Sequence, residues 1–204
     1  GGAGNDTLAG LKGNDILIGG EDGSDVYNYA DYSSENKIRV TLSENVATNT
    51  STVQVDANTT DSTDWTGAND EADTISHILN ILGSDSGSDE ITGNSATNIL
   101  YGQAGNDTLD GAGGVDTLYG GVGHDLLLGG TGADTLFGEA GNDTIKASSA
   151  TDGIDVIDGG DELDGSSGSD TADYSSLGST NFITVDLKNG SKYLVDGTLD
   201  NTNG

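Results

Sequence analysis

Aspartate residues recur at every ninth position through the middle of the chain. The regular set is Asp107, Asp116, Asp125, Asp134 and Asp143. A large apolar residue follows each aspartate by two positions, and a glycine-rich stretch precedes each one. Because a carboxylate, an apolar residue and a turn share one fixed spacing, the pattern indicates a repeated unit that arranges its carboxylates in rows.

The repeated unit is a nonapeptide, and further copies lie outside the regular set. The five regular copies read GQAGNDTLD, GAGGVDTLY, GGVGHDLLL, GGTGADTLF and GEAGNDTIK. Earlier copies carry Asp6 and Asp15, and copies with one extra residue in the turn carry Asp25 and Asp89. In a degenerate copy, GNSATNILY, Asn98 stands in the aspartate position.

The nonapeptide predicts short strands joined by tight turns. Glycine permits positive φ and close approach of backbones. The three residues around the apolar position form a short strand whose middle side chain points inward. Two nonapeptides then complete one coil of 18 residues, and successive coils stack about 4.7 Å apart. Asp107 and Asp125 therefore share one edge of the stack, as do Asp116 and Asp134.

Such rows of carboxylates favour a bound cation. Like charges stacked about 5 Å apart repel each other strongly. The turn carbonyls point at the same edge, so its ligands are all oxygen atoms, which suit Ca²⁺ better than a soft metal. In one isolated copy, local hydrogen bonding would be enough to explain an aspartate in a turn. Five copies in register favour calcium.

The repeat resembles the RTX nonapeptide, GGxGxDxUx with U a large apolar residue, of secreted bacterial toxins, proteases, lipases and large adhesins. Clear copies cover residues 1–28 and 83–146, and looser copies extend to about residue 173. The resemblance implies an all-β fold, a parallel β-roll (a β-solenoid) of calcium-binding repeats. Inserted β-hairpins and loops interrupt the roll.

The resemblance also implies a set of calcium ligands. One turn contributes the carbonyls of its first and third residues and its aspartate. The turn one coil later contributes the carbonyls of its second and fourth residues and its own aspartate. The implied sites are Gly102, Ala104 and Asp107 with Gly121, Gly123 and Asp125; Gly111, Gly113 and Asp116 with Gly130, Gly132 and Asp134; and Gly120, Val122 and Asp125 with Glu139, Gly141 and Asp143. Asp6, Asp15, Asp25 and Asp89 are further implied ligands, and Asn98 weakens the site that it would share with Asp116.

The composition agrees with a fold that depends on a cation. The 204 residues include 35 Asp and Glu against 6 Lys and Arg, for a formal net charge of -29, and only 32% are hydrophobic. A chain of this kind is normally disordered unless a cation neutralises its carboxylates. The charge argues against binding to nucleic acid or anionic lipid. No apolar run is long enough for membrane insertion, and the absence of cysteine excludes disulfides and thiolate metal sites.

Two interruptions divide the chain into four parts. The motif ADYSS precedes an alternating stretch in each interruption, at Ile38–Leu42 and again at Ile183–Leu187, and both stretches predict strands. Residues 45–73 are expected to loop outward. The predicted parts are repeats at 1–28, an inserted hairpin and loop at 29–73, the main repeat block at 74–172, and the start of a next insert at 173–204. We therefore expect one module and the beginning of a second, cut from a longer protein.

Motifs of common catalytic sites are absent, so we expect no enzymatic activity. The sequence contains no HExxH, GxSxG, Walker or GxGxxG motif. His124 lies at a variable turn position and is expected to be solvated, and His77 is expected to be structural. Tyr101, Tyr119 and Phe137 are predicted to form an aromatic ladder on the outer face, suited to surface packing or self-association more than to a glycan.

Two functions stay open at this point. The first is a structural or adhesive array on the cell surface, in an adhesin, surface layer or filament, with calcium, neighbouring modules and a glycan or surface ligand as partners. The second is a C-terminal folding and secretion domain of an RTX hydrolase or toxin. Both imply a secreted protein, exported unfolded through a one-step channel and folded by extracellular calcium. The tandem module favours the first.

Overall fold

The computed structural model describes residues 6–9, 16–19, 29–31, 38–42, 50–55, 71–76, 78–146, 155–160 and 170–173. The regular elements in these ranges are all β-strands, which confirms the predicted all-β class. They are β1 (Thr7–Ala9), β2 (Ile16–Ile18), β3 (Tyr29–Asp31), β4 (Ile38–Thr41), β5 (Thr50–Val55), β6 (Glu71–Ser76), β7 (Asn80–Leu82), β8 (Glu90–Thr92), β9 (Ile99–Ala104), β10 (Thr108–Asp110), β11 (Thr117–Val122), β12 (Leu126–Leu128), β13 (Thr135–Ala140), β14 (Thr144–Lys146), β15 (Val156–Asp158) and β16 (Thr171–Asp173). Within the same ranges, no helix has the length and apolar character needed to cross a membrane.

The strands form two sheets that the chain visits alternately along the main block. The first sheet has seven strands in the order β1-β3-β7-β9-β11-β13-β15, and the second has nine in the order β16-β14-β12-β10-β8-β4-β5-β6-β2. Leu109 pairs with Leu127, and Leu118 pairs with Leu136, both in parallel. Each partner lies 18 residues along the chain, so the predicted coil and its register are confirmed as a β-solenoid.

The core is a row of single apolar side chains, one from the middle of each short strand. The side chains of Leu118 and Leu127 in one coil are fully buried, and their neighbours in the coils above and below are equally buried. The residues on either side of each core position face outward and are partly exposed. Because each coil of 18 residues buries only two large side chains in this way, the hydrophobic contribution to each layer is small.

Strands of the two sheets differ in length, which the repeat alone did not predict. The nonapeptide predicts strands of three residues, and β10, β12 and β14 in the second sheet have this length. In the first sheet β9, β11 and β13 have six residues, because their pairing continues into the turn, where Gly121 pairs with Gln103 and with Glu139. The turns along this edge are therefore held to each other by ladder hydrogen bonds.

The insert is built into the second sheet. Strand β5 runs antiparallel to both β4 and β6, β4 pairs in parallel with β8, and β6 pairs in parallel with β2. The expectation that residues 45–73 loop outward is therefore wrong for β5 and for the part of β6 within that range. The Thr and Val residues of β5 favour a strand, and this strand pairs with β4 on one side and β6 on the other. The predicted strand Ile183–Leu187 lies outside the described residues.

Close packing of the turns limits which residues fit the fourth turn position. Gly123 has φ +152°, and a Cβ atom added there would overlap the carbonyl oxygen of Gly105 in the previous coil. The neighbour that blocks the space is backbone, so it cannot rotate away. By contrast, an added Cβ at Gly113 would meet its nearest atom, the side-chain oxygen of Thr131, at 3.0 Å, and Gly113 does not have a positive φ.

The two glycines give a matched test of this packing. We expect Gly123→Ala to lower the free energy of unfolding by more than about 3 kcal/mol, since two coils must separate to admit the methyl group. Gly113→Ala should change it by about 1 kcal/mol or less, since the Thr131 side chain can rotate. Chemical denaturation in saturating calcium measures both values. Equal losses in the two variants would contradict the packing described.

Candidate metal centres

The repeat aspartates form two columns, one along each edge of the solenoid. In the first column, the backbone N–H of Asp107 donates to Oδ1 of Asp125, and that of Asp125 donates to Oδ1 of Asp143, both at 2.8 Å. In the second column, Asp116 donates in the same way to Oδ1 of Asp134 at 2.9 Å. All five carboxylates are at most 2% exposed. The predicted grouping of aspartates on two edges is therefore present in the structure.

The second carboxylate oxygen of these aspartates has a different environment. In Asp107, Asp116, Asp125 and Asp143, atom Oδ2 is buried and has no hydrogen-bond partner. A buried oxygen with no donor carries an unfavourable desolvation free energy. Such orphaned buried atoms are rare in native proteins, and a bound ion is one of the established explanations.

The first glycine of each turn lies against this oxygen and leaves space beside it. A Cβ atom added to Gly120 would lie 2.5 Å from Oδ2 of Asp125 and 2.8 Å from the carbonyl oxygen of Gly138 in the next coil. At Gly111 the corresponding distances, to Oδ2 of Asp116 and to the Gly129 carbonyl, are both 2.5 Å. A carboxylate oxygen and a carbonyl oxygen from successive coils therefore face the same small space, here called a cradle.

Electrostatics of the columns also favour a cation. Burial raises the pKa of the Asp107, Asp116, Asp125 and Asp143 carboxyls from 3.8 to about 7. The hydrogen bond from the previous coil opposes this rise, and in Asp125 the charges of Asp107 and Glu139 add to it. The charged carboxylates are therefore unfavourable unless positive charge is added beside them.

The residues present fit a hard cation bound by oxygen. No group of three or more His, Cys, Asp or Glu side chains converges within the described part of the chain. A cation between two coils would therefore use two stacked carboxylates and complete its shell with backbone carbonyls. Ca²⁺ accepts such mixed sets of six to eight oxygen ligands, whereas Mg²⁺ requires stricter octahedral geometry.

The two turns of each site implied by the resemblance lie in adjacent coils. In the first column Ala104 pairs with Val122, and Val122 pairs with Ala140. The Val122 carbonyl accepts a hydrogen bond of 2.9 Å from Gly105 N–H, which leaves a second lone pair on that oxygen. In the second column Gly113 bridges to Thr131. The assignment of individual carbonyls as ligands remains a prediction.

The four implied ligands outside the regular set have different positions. Asp6 directly precedes β1, and Asp15 and Asp25 lie outside the described residues. Asp89 is buried at the start of the first column, but both of its carboxylate oxygens have protein donors. Asn98 begins the second column, and its N–H donates to Oδ1 of Asp116 at 2.8 Å.

Each column continues through an aspartate that was not among the predicted ligands. Oδ1 of Asp170 accepts from Asp143 N–H, and Oδ1 of Asp155 accepts from Asp134 N–H, both at 3.0 Å. The sequence separations are 27 and 21 residues instead of 18, which hides these aspartates from a fixed period. The sequence signal that could have identified them is the short strand-forming stretch that begins directly after each aspartate.

The fifth turn position forms a hydrogen-bonded row beside the first column. The N–H of Asn106 donates to Oγ of Ser88 at 3.2 Å, and that of His124 donates to Oδ1 of Asn106 at 2.9 Å. The N–H of Asn142 then donates to Nδ1 of His124 at 2.8 Å. His124 is exposed, as expected, but it also connects neighbouring coils.

The predicted aromatic ladder is present on the outer face of the first sheet. The rings of Tyr101 and Tyr119 stack with centroids 4.5 Å apart and planes 4° apart, and those of Tyr119 and Phe137 stack at 4.9 Å and 10°. Because Tyr119 stacks on a ring at each side, its faces are covered by protein. The ladder therefore stabilises the stack of coils and leaves no open Tyr119 face on which a sugar could stack.

Comparison with family models gives four matches to the RTX calcium-binding nonapeptide repeat, at residues 1–27, 84–118, 110–145 and 119–152. No curated protein matches the chain. Repeats of this type bind several calcium ions per array and form a structural fold. The buried aspartate columns, the glycine cradles and the β-solenoid agree with these matches. Residues 1–27 and 84–152 therefore consist of RTX calcium-binding nonapeptide repeats.

Proposed function

We propose that the chain is a calcium-gated structural module of a secreted or cell-surface protein, which folds when calcium occupies the two aspartate columns. The proposal rests on one observation: the Oδ2 atoms of four aspartates are buried and receive no hydrogen bond. These aspartates are Asp107, Asp116, Asp125 and Asp143. The same orphaned atom in successive coils means that each added coil needs positive charge from outside the chain.

The proposed ligands are those that the repeat resemblance implies in the regular turns. They are the carboxylates of Asp107, Asp116, Asp125, Asp134 and Asp143 and the carbonyls of Gly102, Ala104, Gly111, Gly113, Gly120, Gly121, Val122, Gly123, Gly130, Gly132, Glu139 and Gly141. Calcium bound there would supply positive charge between stacked carboxylates. The turns would orient the carbonyls toward the edge on which the buried aspartates lie. Asp125 would serve two sites, because it lies between Asp107 and Asp143.

Calcium dependence of this kind fits an extracellular location. Sites that take most of their ligands from neutral carbonyls bind weakly and fill at the calcium levels of about 10⁻⁴ to 10⁻³ M that occupy extracellular modules. The net charge of -29 opposes folding of the coils that carry the aspartate columns where calcium is scarce. Coupling between adjacent coils then makes folding steep once calcium is available.

Continuity of the sheets across the insert supports an array at the cell surface. β2 connects through β6, β5 and β4 to β8, and β1 connects through β3 to β7. The repeats before and after the insert are therefore parts of one stack. A folding and secretion domain appended to a hydrolase or toxin would need only one block, whereas continuous modules suit an elongated adhesin, surface layer or filament. Neighbouring modules of the same protein are then the expected partners.

A calcium titration tests the gating. We expect the β-sheet signal in circular dichroism to appear steeply with Ca²⁺ and far less with Mg²⁺. Asp125→Asn, which keeps an oxygen to accept the Asp107 N–H, should raise the calcium midpoint by about tenfold or more because it removes ligand charge. Asp85→Asn is the matched control, since Asp85 is exposed. Equal folding in EDTA, or equal midpoints in the two variants, would contradict the proposal.

Protons should partly replace calcium in the metal-free chain. The raised pKa of about 7 means that the folded state binds more protons than the unfolded state, whose aspartates titrate near 3.8. The stabilisation by protons is therefore complete below about pH 4 and is lost as the pH rises through 7. In EDTA we expect thermal stability to increase as the pH falls from 8 to 4.

With calcium bound, the dependence of stability on pH should reverse, because protons compete with the ion for the carboxylates. The calcium midpoint should then increase as the pH falls. Asp125→Asn removes one of the titrating groups, so it should make thermal stability in EDTA change less steeply with pH. A metal-free stability that does not change between pH 8 and 4 would show that the columns do not carry the buried charge described.

A further inference from the structure

The first turn of each column differs from the turns that follow it. Oδ2 of Asp89 accepts a hydrogen bond of 2.6 Å from the N–H of Ser84, and Oδ1 accepts from Ser84 Oγ at 2.8 Å and from Ile38 N–H at 2.7 Å. In Asp125 the equivalent Oδ2 atom has no donor. At Asp89, N–H and O–H groups of the protein therefore donate to both carboxylate oxygens, whereas Oδ2 of Asp107, Asp125 and Asp143 receives no donor.

Asn98 is satisfied in the same way at the start of the second column. Its Oδ1 accepts a 2.9 Å hydrogen bond from Asn94 N–H, and its Nδ2 donates to the Leu79 carbonyl at 2.7 Å. Oδ1 of Asn98 lies against Gly93, as Oδ2 of Asp116 lies against Gly111. The neutral amide thus occupies the position of a carboxylate and brings its own donor.

The backbone of the second turn residue determines which kind of turn forms. In the later turns this residue has a positive φ, as in Gln103 (+82°), Ala112 (+68°) and Glu139 (+71°). Ser84 and Asn94 do not have a positive φ, and their N–H groups reach the side chain at the end of the turn. Their own side chains accept from Gly87 N–H at 3.2 Å and from Ala96 N–H at 2.9 Å, which favours this local conformation.

The strand register explains why these turns are the first of their columns. Arg39 pairs with Glu90, so Ile38 stands in the aspartate position one coil before Asp89. Asn80 pairs with Ile99, so Leu79 stands in that position before Asn98. Neither Ile38 nor Leu79 has a carboxylate to share with the next coil. An ion between Ile38 and Asp89 would therefore lack one of its two charged ligands, and an ion between Leu79 and Asn98 would lack both.

We propose that residues 78–98, with β4 packed on them, form a calcium-independent coil on which the calcium-dependent coils assemble. The two turns 83–89 and 93–98 are here called sealed turns, because hydrogen bonds within the protein satisfy their polar ends. The insert strengthens this end of the block, since Ile38, Val40 and Leu42 add buried apolar side chains and Arg39 pairs with Glu90 at 2.7 Å. Calcium binding then begins at Asp107 and Asp116. The inference rests on the proposed function, which makes the later coils calcium-dependent.

Hydrogen–deuterium exchange on the full chain tests the inference. In EDTA, amides of residues 80–98 should stay protected, whereas those of residues 108–146 should exchange rapidly. Addition of calcium should then protect the amides of residues 108–146. Protection that is absent from both groups in EDTA and appears in both with calcium would overturn the inference and leave the proposed function intact. Protection of both groups in EDTA would overturn the proposed function and the inference with it.

A matched pair of variants separates the two kinds of turn. Asp89→Asn replaces one acceptor oxygen with an NH₂ group, which would face either the Ser84 N–H or the Ile38 N–H, both of which are donors. It should reduce the EDTA protection of residues 80–98 and raise the calcium midpoint by clearly less than Asp125→Asn does, since the supporting coil is weakened but no calcium ligand is removed. Asp125→Asn should leave the EDTA protection unchanged and raise the midpoint by about tenfold or more. Equal increases in midpoint would overturn the inference.

Ser84→Ala is a milder variant, for use if Asp89→Asn does not fold. It removes the Oγ hydrogen bonds to Asp89 and Gly87 and keeps the N–H donor. We expect a partial loss of the EDTA protection of residues 80–98, with the calcium midpoint unchanged within about twofold. Unaltered protection in EDTA would show that the sealed turn does not hold this coil together.

Discussion

Burial of one carboxylate per turn, directly above the next, is the constraint on which the rest of the structure depends. Each of these aspartates uses Oδ1 to accept the N–H of the previous coil, so the carboxylate cannot leave the edge without breaking a contact between coils. Its Oδ2 must then be satisfied at the same edge. The first-position glycine provides the space for this, because any side chain there would meet both Oδ2 and the next carbonyl.

The small apolar core follows from the same constraint. A coil that buries only two side chains such as Leu118 and Leu127 cannot offset the conformational entropy of 18 ordered residues by hydrophobic contacts alone. Ladder hydrogen bonds, the stacked rings of Tyr101, Tyr119 and Phe137, and the row through His124 add contacts between coils. None of these contacts neutralises the carboxylates, so we expect the stability of the stack to depend on the ionic environment.

Sequence periodicity predicted the parts of the fold that repeat and missed the parts that depend on local backbone. The nine-residue spacing was enough to predict the coil, the pairing of Leu109 with Leu127 and the two columns. It showed that the turn before Asp89 is one residue longer than the turn before Asp107. It could not show that protein donors satisfy both oxygens of Asp89, because this depends on the φ angle of the second turn residue, Ser84. It also missed Asp155 and Asp170, whose separations from the previous aspartate are irregular, and it did not place β5 in the sheet.

The geometry of the insert shows how a solenoid can be interrupted and still continue. Because β5 is antiparallel to both of its neighbours, the direction of the chain reverses twice, and β4 and β6 remain parallel to β8 and β2. The sheet therefore resumes in its original direction. However, β4 arrives without an aspartate, since Ile38 occupies that position, so the junction cannot share a cation across its two coils. Donors from the protein must satisfy Asp89 there instead. At this junction the sealed turn 83–89 thus takes the place of a shared cation, which links the position of the insert to the place where we propose that the calcium-dependent columns begin.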